Sequence, residues 1–247
     1  MTAHSPWPTD WLIPDWPAPA SVKACVTTRA GGISQPPFDS FNLGDHVEDD
    51  PQAVAHNRRK LAEILGCQPV WLSQVHSTEV VQADPGRRAT ADASWTDQPG
   101  LACSILTADC LPVLFCDRAG TRVAAAHAGW RGLVGGVLEA SLAALQRPPE
   151  EVLVWLGPAI GPQAFEVGPE VLAAFVAVHP QAASAFLPSP NPGRYLADLY
   201  ALARIRLAAQ GVTAVFGGGL CTYNDPRFYS YRRRARTGRL ASLVWLS

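Results

Sequence analysis

This 247-residue sequence has no CxxC pair, no linker-like run of charge, glycine or proline, and no apolar stretch long enough to span a bilayer. Each absence removes a class of protein. The six cysteines are scattered along the chain, which argues against a secreted disulfide framework and for reduced thiols in the cytoplasm. The formal charge is only −1, with both signs interspersed, so neither nucleic acid nor an anionic membrane is expected as the main partner. No basic segment leading into an apolar core opens the chain, and no signal peptide is expected. No GxGxxG follows a strand-like run, which removes a dinucleotide fold.

What is present is a series of short apolar segments with turn residues between them. A single domain over residues 1–247 is expected, carrying a Pro/Trp-rich extension over residues 1–20 packed on its surface. The spacing predicts a helix through DDPQAVAHNRRKLAEILG, capped by Asp50, started by Pro51 and stopped by Gly66. PVWLSQVHS and EVVQAD read as a strand pair turning at Ser77–Thr78. LACSILT, CLPVLFCD, RVAAAHAG, VLVWLG and LASLVWLS read as strands. VLEASLAALQ, GPEVLAAFVAVH and YLADLYALARIRLAAQ read as helices. Strands and helices mix without strict alternation, so the expected class is α+β with a mixed sheet.

Three residues carry the sharpest chemical signal. His76 ends WLSQVHS, Cys110 opens CLPVLF and His127 closes VAAAH, each at a strand end. Two imidazoles and a thiolate suit a zinc-like ion and leave a fourth position open, as catalytic zinc requires. Taken singly, each reads as the packed core residue that such types usually are, and it is their company that points to a site. Asp109 is a candidate to orient a ligand histidine, or simply a turn residue.

HAGWRG at 127–132 leads a strand into a helix start with Arg131 beside it, which reads as an anion site or as a plain turn. The segment from Cys221 to Arg239 gathers Phe228, Tyr229 and Tyr231 to flank a flat ring, and Arg232 and Arg233 to meet phosphate. Its other reading is a surface loop whose arginine stems cover apolar ground. Asn42 in SFNLG either bonds a sugar hydroxyl or shapes a turn. His46-Val47-Glu48 matches half of a nucleobase-deaminase signature, but no PCxxC follows, so the match reads as chance. Cys25, Cys67, Cys103 and Cys116 read as structural, and Cys221 stays open.

TTRAGGIS, FNLGDHVEDDP, NRRKL, WLSQVHS, LTADCLPVLF, AAAHAGWRG, LGPAIGPQAFEVG, FYSYRR and TGR occur in the order found in the YfiH-type laccase-domain family, which the chain closely resembles from about Val22 onward. The resemblance implies a layered α/β sandwich akin to the cytotoxic necrotising factor catalytic domain. It also implies zinc held by His76, Cys110 and His127, and purine nucleoside phosphorylase activity with accompanying adenosine deaminase activity. Gln163–Ala164 stand where other members carry a cysteine pair, and Arg234 where an aspartate is common. The expected partners are a nucleoside and orthophosphate, with Arg58 first and Arg131 second for anion contact. Two other enzymatic readings stay beside this one. Copper as the alternative metal would support phenol oxidation, but the chain's one methionine is Met1, leaving no internal Met to serve as the axial ligand typical of blue copper. A metal-free hydrolase would use Cys110 as nucleophile and His127 as base, which suits editing of peptidoglycan precursors. A non-enzymatic nucleoside-binding module is the third alternative.

Overall fold

A computed structural model describes residues 7–247; the first six residues of the expected extension lie outside them. In chain order the elements are β1 (Val22–Val26), α1 (Pro51–Leu65), β2 (Gln68–Val70), β3 (Val80–Gln82), β4 (Ala93–Thr96), β5 (Leu101–Thr107), β6 (Leu111–Asp117) and β7 (Val123–Ala128). There follow α2 (Trp130–Gly135), α3 (Val137–Leu145), β8 (Val152–Leu156), β9 (Glu166–Val167), α4 (Pro169–Val178), β10 (Phe186–Pro188), β11 (Tyr195–Ala197), α5 (Leu199–Ala209), β12 (Val215–Gly217) and β13 (Leu240–Leu246).

Two mixed sheets stack on each other. One has the order β1-β13-β5-β2 and the other β12-β8-β6-β7-β4-β3, while β10-β11-β9 form a small antiparallel sheet. The central strands β6 and β7 are buried on both faces, which explains why LPVLF and VAAAHA read as unbroken apolar runs. Along β6, Val113 and Phe115 face α3, α4 and α5, whereas Leu114 and Cys116 meet Ile105 and Val244 of the facing sheet. On the far side of that second sheet, Cys25, Leu243 and Trp245 pack with Leu61 and Leu65 of α1. The result is a helix–sheet–sheet–helix sandwich, the layered α/β architecture expected.

Local signals behave as their chemistry dictates. The Asp50 carboxylate accepts from Gln52 N, Pro51 opens α1, and Gly66 closes it at φ 64°. Two expectations change. The chain from Val70 to Val80 is not a hairpin turn: β2 joins β5 in one sheet and β3 joins β4 in the other, both parallel. The segment between them crosses the sandwich and carries His76. The helix expected from Tyr195 begins at Leu199, because Asp198 caps it by accepting from Tyr200 N and Ala201 N, and Tyr195–Ala197 pair with β10 instead. Within the extension, Trp11 is buried against Phe41 and Leu12 bridges to Val26. Among the described residues, no helix is long and apolar enough to cross a membrane.

Candidate functional site

The crossover from β5 to β6 passes from one sheet to the other through Ala108–Cys110 and delivers Cys110 to the lip between them. His127 stands one residue from the end of β7, opposite Pro112 of β6, and is buried. His76 arrives from the crossing segment between β2 and β3. That segment is pinned by Gln74, which donates to Leu106 O at 2.8 Å and accepts from Leu106 N at 2.8 Å. The ligand atoms of His76, Cys110 and His127 all lie within 4.8 Å of one another. Cys110 Sγ is 3.7 Å from His76 Nε2, and the two imidazole centroids are 4.7 Å apart. Both His76 (φ 62°) and Asp109 (φ 97°) adopt left-handed backbone, a conformation that residues with a side chain disfavour.

Gly129 of HAGWRG shows why the motif needs glycine there. A Cβ at this position would lie 2.7 Å from His76 Cδ2 and 3.0 Å from Cys110 Sγ, inside the ligand set. The short helix α2 starts directly after this glycine, and Arg131 on it is exposed and stacked on Trp130.

Charge is concentrated at this centre. Burial pushes the Cys110 thiol up, but His127 and His76 outweigh it and bring it down to about 6. Burial works against protonation of His127, yet Cys110 and Asp92 raise it to about 9. By contrast, burial alone carries Cys67 up to about 12, and it dominates at Cys103 and Cys116, which also reach about 12. Cys221 accepts from Gly161 N at 3.2 Å and stands outside the ligand set.

The carboxylate bonded to one of these candidate ligand histidines is Asp92, not Asp109. Asp92 Oδ1 accepts from His127 Nδ1 at 2.8 Å. Asp109 instead accepts from Thr222 Oγ1 at 2.6 Å and from Arg232 N at 2.6 Å, tying the crossover to the loop after β12. ADASW gives no local hint of this difference, since both aspartates look like turn residues. Above these three side chains opens a cavity of about 360 Å³, walled by Ile160, Phe165 and Tyr231 with His46, Arg232 and Arg239. His46, set aside as a chance match, thus faces the same cavity.

The remaining candidates lie elsewhere. Arg58 donates to Leu43 O at 2.9 Å, pairs with Asp45 at 3.2 Å and stacks on Trp71, so its role is to pin α1. Asn42 is fully buried, donating to Gly44 O and Asp49 and accepting from Arg239 N, which shapes the turn beside the site. Phe228 and Tyr229 are core residues, with the Tyr229 hydroxyl donating to Phe38 O. Arg233 is turned inward onto the carbonyls of Thr222, Tyr223 and Phe228. Arg239 sends Nη1 to Thr237 O and Gly238 O, while neither Nε nor Nη2 has a partner among the described residues.

A layered sandwich with two histidines and a cysteine at its lip defines a class, and comparison with known proteins gives that class its family. Residues 23–247 match the family model described as multi-copper polyphenol oxidoreductase laccase, and the chain belongs to that family. It is 70% identical to a purine nucleoside phosphorylase of Pseudomonas aeruginosa, over 96% of this chain and 98% of that protein. It is 54% identical to the purine nucleoside phosphorylase YfiH of Escherichia coli, over 95% and 98%. A crystal structure of a Neisseria meningitidis protein of the DUF152 family superposes with a TM-score of 0.94 at 53% identity, covering 97% of this chain and 100% of that one. YlmD from Geobacillus stearothermophilus gives 0.89 at 30% identity, over 100% and 97%.

Proposed function

We propose that this protein is a zinc-dependent purine nucleoside phosphorylase that also deaminates adenosine, acting in the cytoplasm. The observation that carries the reading is the convergence of His76, Cys110 and His127 beneath a cavity that holds Arg232 and Arg239. Support for the substrate class comes from relatives that bear the phosphorylase name. Six free thiols suit the reducing compartment.

The donor set fits zinc. His127 commits Nδ1 to Asp92, which leaves the other ring nitrogen as the lone-pair donor, and Cys110 is held as a thiolate. When bound in such a site, zinc acts as a Lewis acid and lowers the pKa of its water to roughly 7. The protein's own groups supply the rest. Arg239, with Nε and Nη2 unengaged, holds orthophosphate in the cavity, and Arg232, whose Nη1 and Nη2 donate to Ala164 O and Glu166 O, adds its positive charge beside it. Phe165 and Tyr231 offer flat apolar surface to a purine. Phosphate oxygen attacks the anomeric carbon, the glycosidic bond breaks, and the purine departs with the bonding pair and takes up a proton. Asp109 has both oxygens engaged and is not assigned that proton.

A second reading draws on one observation, the thiolate–imidazolium pairing of Cys110 with His127, which is how a cysteine hydrolase activates its nucleophile. One experiment separates the two. Metal-analysed protein is incubated with adenosine and inosine, with and without phosphate, and the products are chromatographed. The phosphorylase reading expects about one zinc per chain, ribose 1-phosphate from inosine, and cleavage that requires phosphate. Zinc-free protein with full activity after chelation sinks the metal reading, and free ribose formed equally fast without phosphate sinks phosphorolysis.

A further inference from the structure

We infer that Asp92 is the positioning residue of this centre and holds both imidazoles at once, His127 through its ring and His76 through its backbone. The inference rests on the metal reading above. Asp92 immediately precedes β4 and is fully buried, and its carbonyl accepts the His127 amide at 2.7 Å. The same residue then reaches back with its side chain. Oδ1 accepts from His127 Nδ1 at 2.8 Å and from His76 N at 2.9 Å. Oδ2 accepts from Val75 N at 3.1 Å, Ser77 N at 2.6 Å and Ser77 Oγ at 2.8 Å.

Two things follow from this set. Donation from Nδ1 selects one His127 tautomer and one ring orientation, so the second nitrogen is presented to the ion without rotational search. Three consecutive amides converging on one anion form a backbone nest, and the nest contains His76 in its left-handed conformation, φ 62°. That conformation is disfavoured for a residue with a Cβ, and the carboxylate offsets the penalty by gathering the amides around it. Asparagine would keep the shape but turn one acceptor into a donor facing N–H groups, so one of the two oxygen sets must be lost. A fully buried slot leaves no room for the longer glutamate to reproduce the same five contacts.

The test uses the full chain stripped of metal, with zinc affinity measured by competition against a chromophoric chelator and the site read by the absorption of its cobalt(II) form. Variants are Asp92→Asn, Ser77→Ala and, as a buried carboxylate remote from the ligands, Asp117→Asn, each with its melting temperature. Zinc affinity is expected to fall roughly 10- to 100-fold in Asp92→Asn and about threefold in Ser77→Ala, which removes one bond to the same carboxylate. The cobalt spectrum shifts in both. Asp117→Asn melts earlier but binds zinc as the unaltered protein does. If Asp92→Asn does not fold, Ser77→Ala decides. Undiminished affinity in the Asp92 and Ser77 variants, or equal loss in Asp117→Asn, overturns the positioning role alone. An unaltered protein that binds no zinc sinks the metal reading and this inference with it.

Discussion

The two ends of the β6–β7 hairpin carry the same device and put it to different uses. At the turn end, buried Asp117 accepts from Thr121 N at 2.7 Å, Arg122 N at 3.0 Å and Arg147 Nε at 3.0 Å. Every partner there is an ordinary donor, and the network closes on itself. At the open end Asp92 gathers amides in the same manner, but its network runs out through His127 to Cys110 and His76. The lone pairs left over at that end face one another across a cavity. What distinguishes the two ends is where the hydrogen-bond network stops.

The largest expected effect tests the open end. Cys110→Ala should lower nucleoside turnover by about a thousandfold or more, equivalent to roughly 4 kcal/mol, with little change in melting temperature. His76→Ala and His127→Ala should behave alike. Product chromatography and thermal melts check this, and equal loss in well-folded Cys103→Ala or Cys116→Ala breaks the comparison.

Arg239→Ala comes next. Loss of a charge-assisted contact to a dianion is worth on the order of 1.5–3 kcal/mol, so the apparent KM for phosphate should rise roughly ten- to a hundredfold, and that for inosine much less. Deamination of adenosine uses water and should be spared. Parallel loss of both activities would mean general damage around the ligands instead of a phosphate contact.

At the turn end, Asp117→Asn should lower stability by about 1–3 kcal/mol while turnover at 25 °C stays within about twofold. Burial raises the Asp117 carboxyl, but the hydroxyl and amide of Thr121, the amide of Arg122 and the Arg147 guanidinium outweigh it and hold it below the usual range. Its contribution is therefore fully present above the unfolded value of about 3.9 and fades as pH falls through the lower folded one. The gap between the variant and the parent should be widest near neutral pH and close in acid; denaturant melts across pH check it, and a gap that widens in acid refutes the sign. The smallest effect belongs to Arg131→Ala, whose side chain is exposed on Trp130. Its phosphate dependence should stay within about twofold, and a tenfold change would return the anion site to the start of α2.

Much of this molecule was legible one residue type at a time. The caps of α1, the doubly buried central strands, and Cys110 and His127 beside β6 and β7 announce themselves locally, through turn chemistry and apolar runs, whereas His76 lies in the loop between β2 and β3 and not at a strand end. Asp92 does not, because what separates it from Asp109, which is also buried, is its place beside His127, and that place is set by β4 pairing with β7. The arginines illustrate the same limit. Arg58, Arg131, Arg232 and Arg239 are equivalent as residue types, and only the paths of their backbones decide that Arg232 and Arg239 face the cavity. The false hairpin at Ser77–Thr78 has a related cause, since two short strands adjacent in sequence were claimed by different sheets.

The position of β13 bears on how the protein comes into being. It is inserted between β1 and β5, and its ladder joins Leu246 to Val22 and Leu240 to Thr107. A chain synthesised only as far as Arg239 has β1 and β5 with the strand between them missing, and one cavity wall hangs on that gap. Such distant pairing makes for slow, late closure. A ribosome-bound chain stalled before residue 240 should thus be aggregation-prone and inert, though it already contains His76, Cys110 and His127.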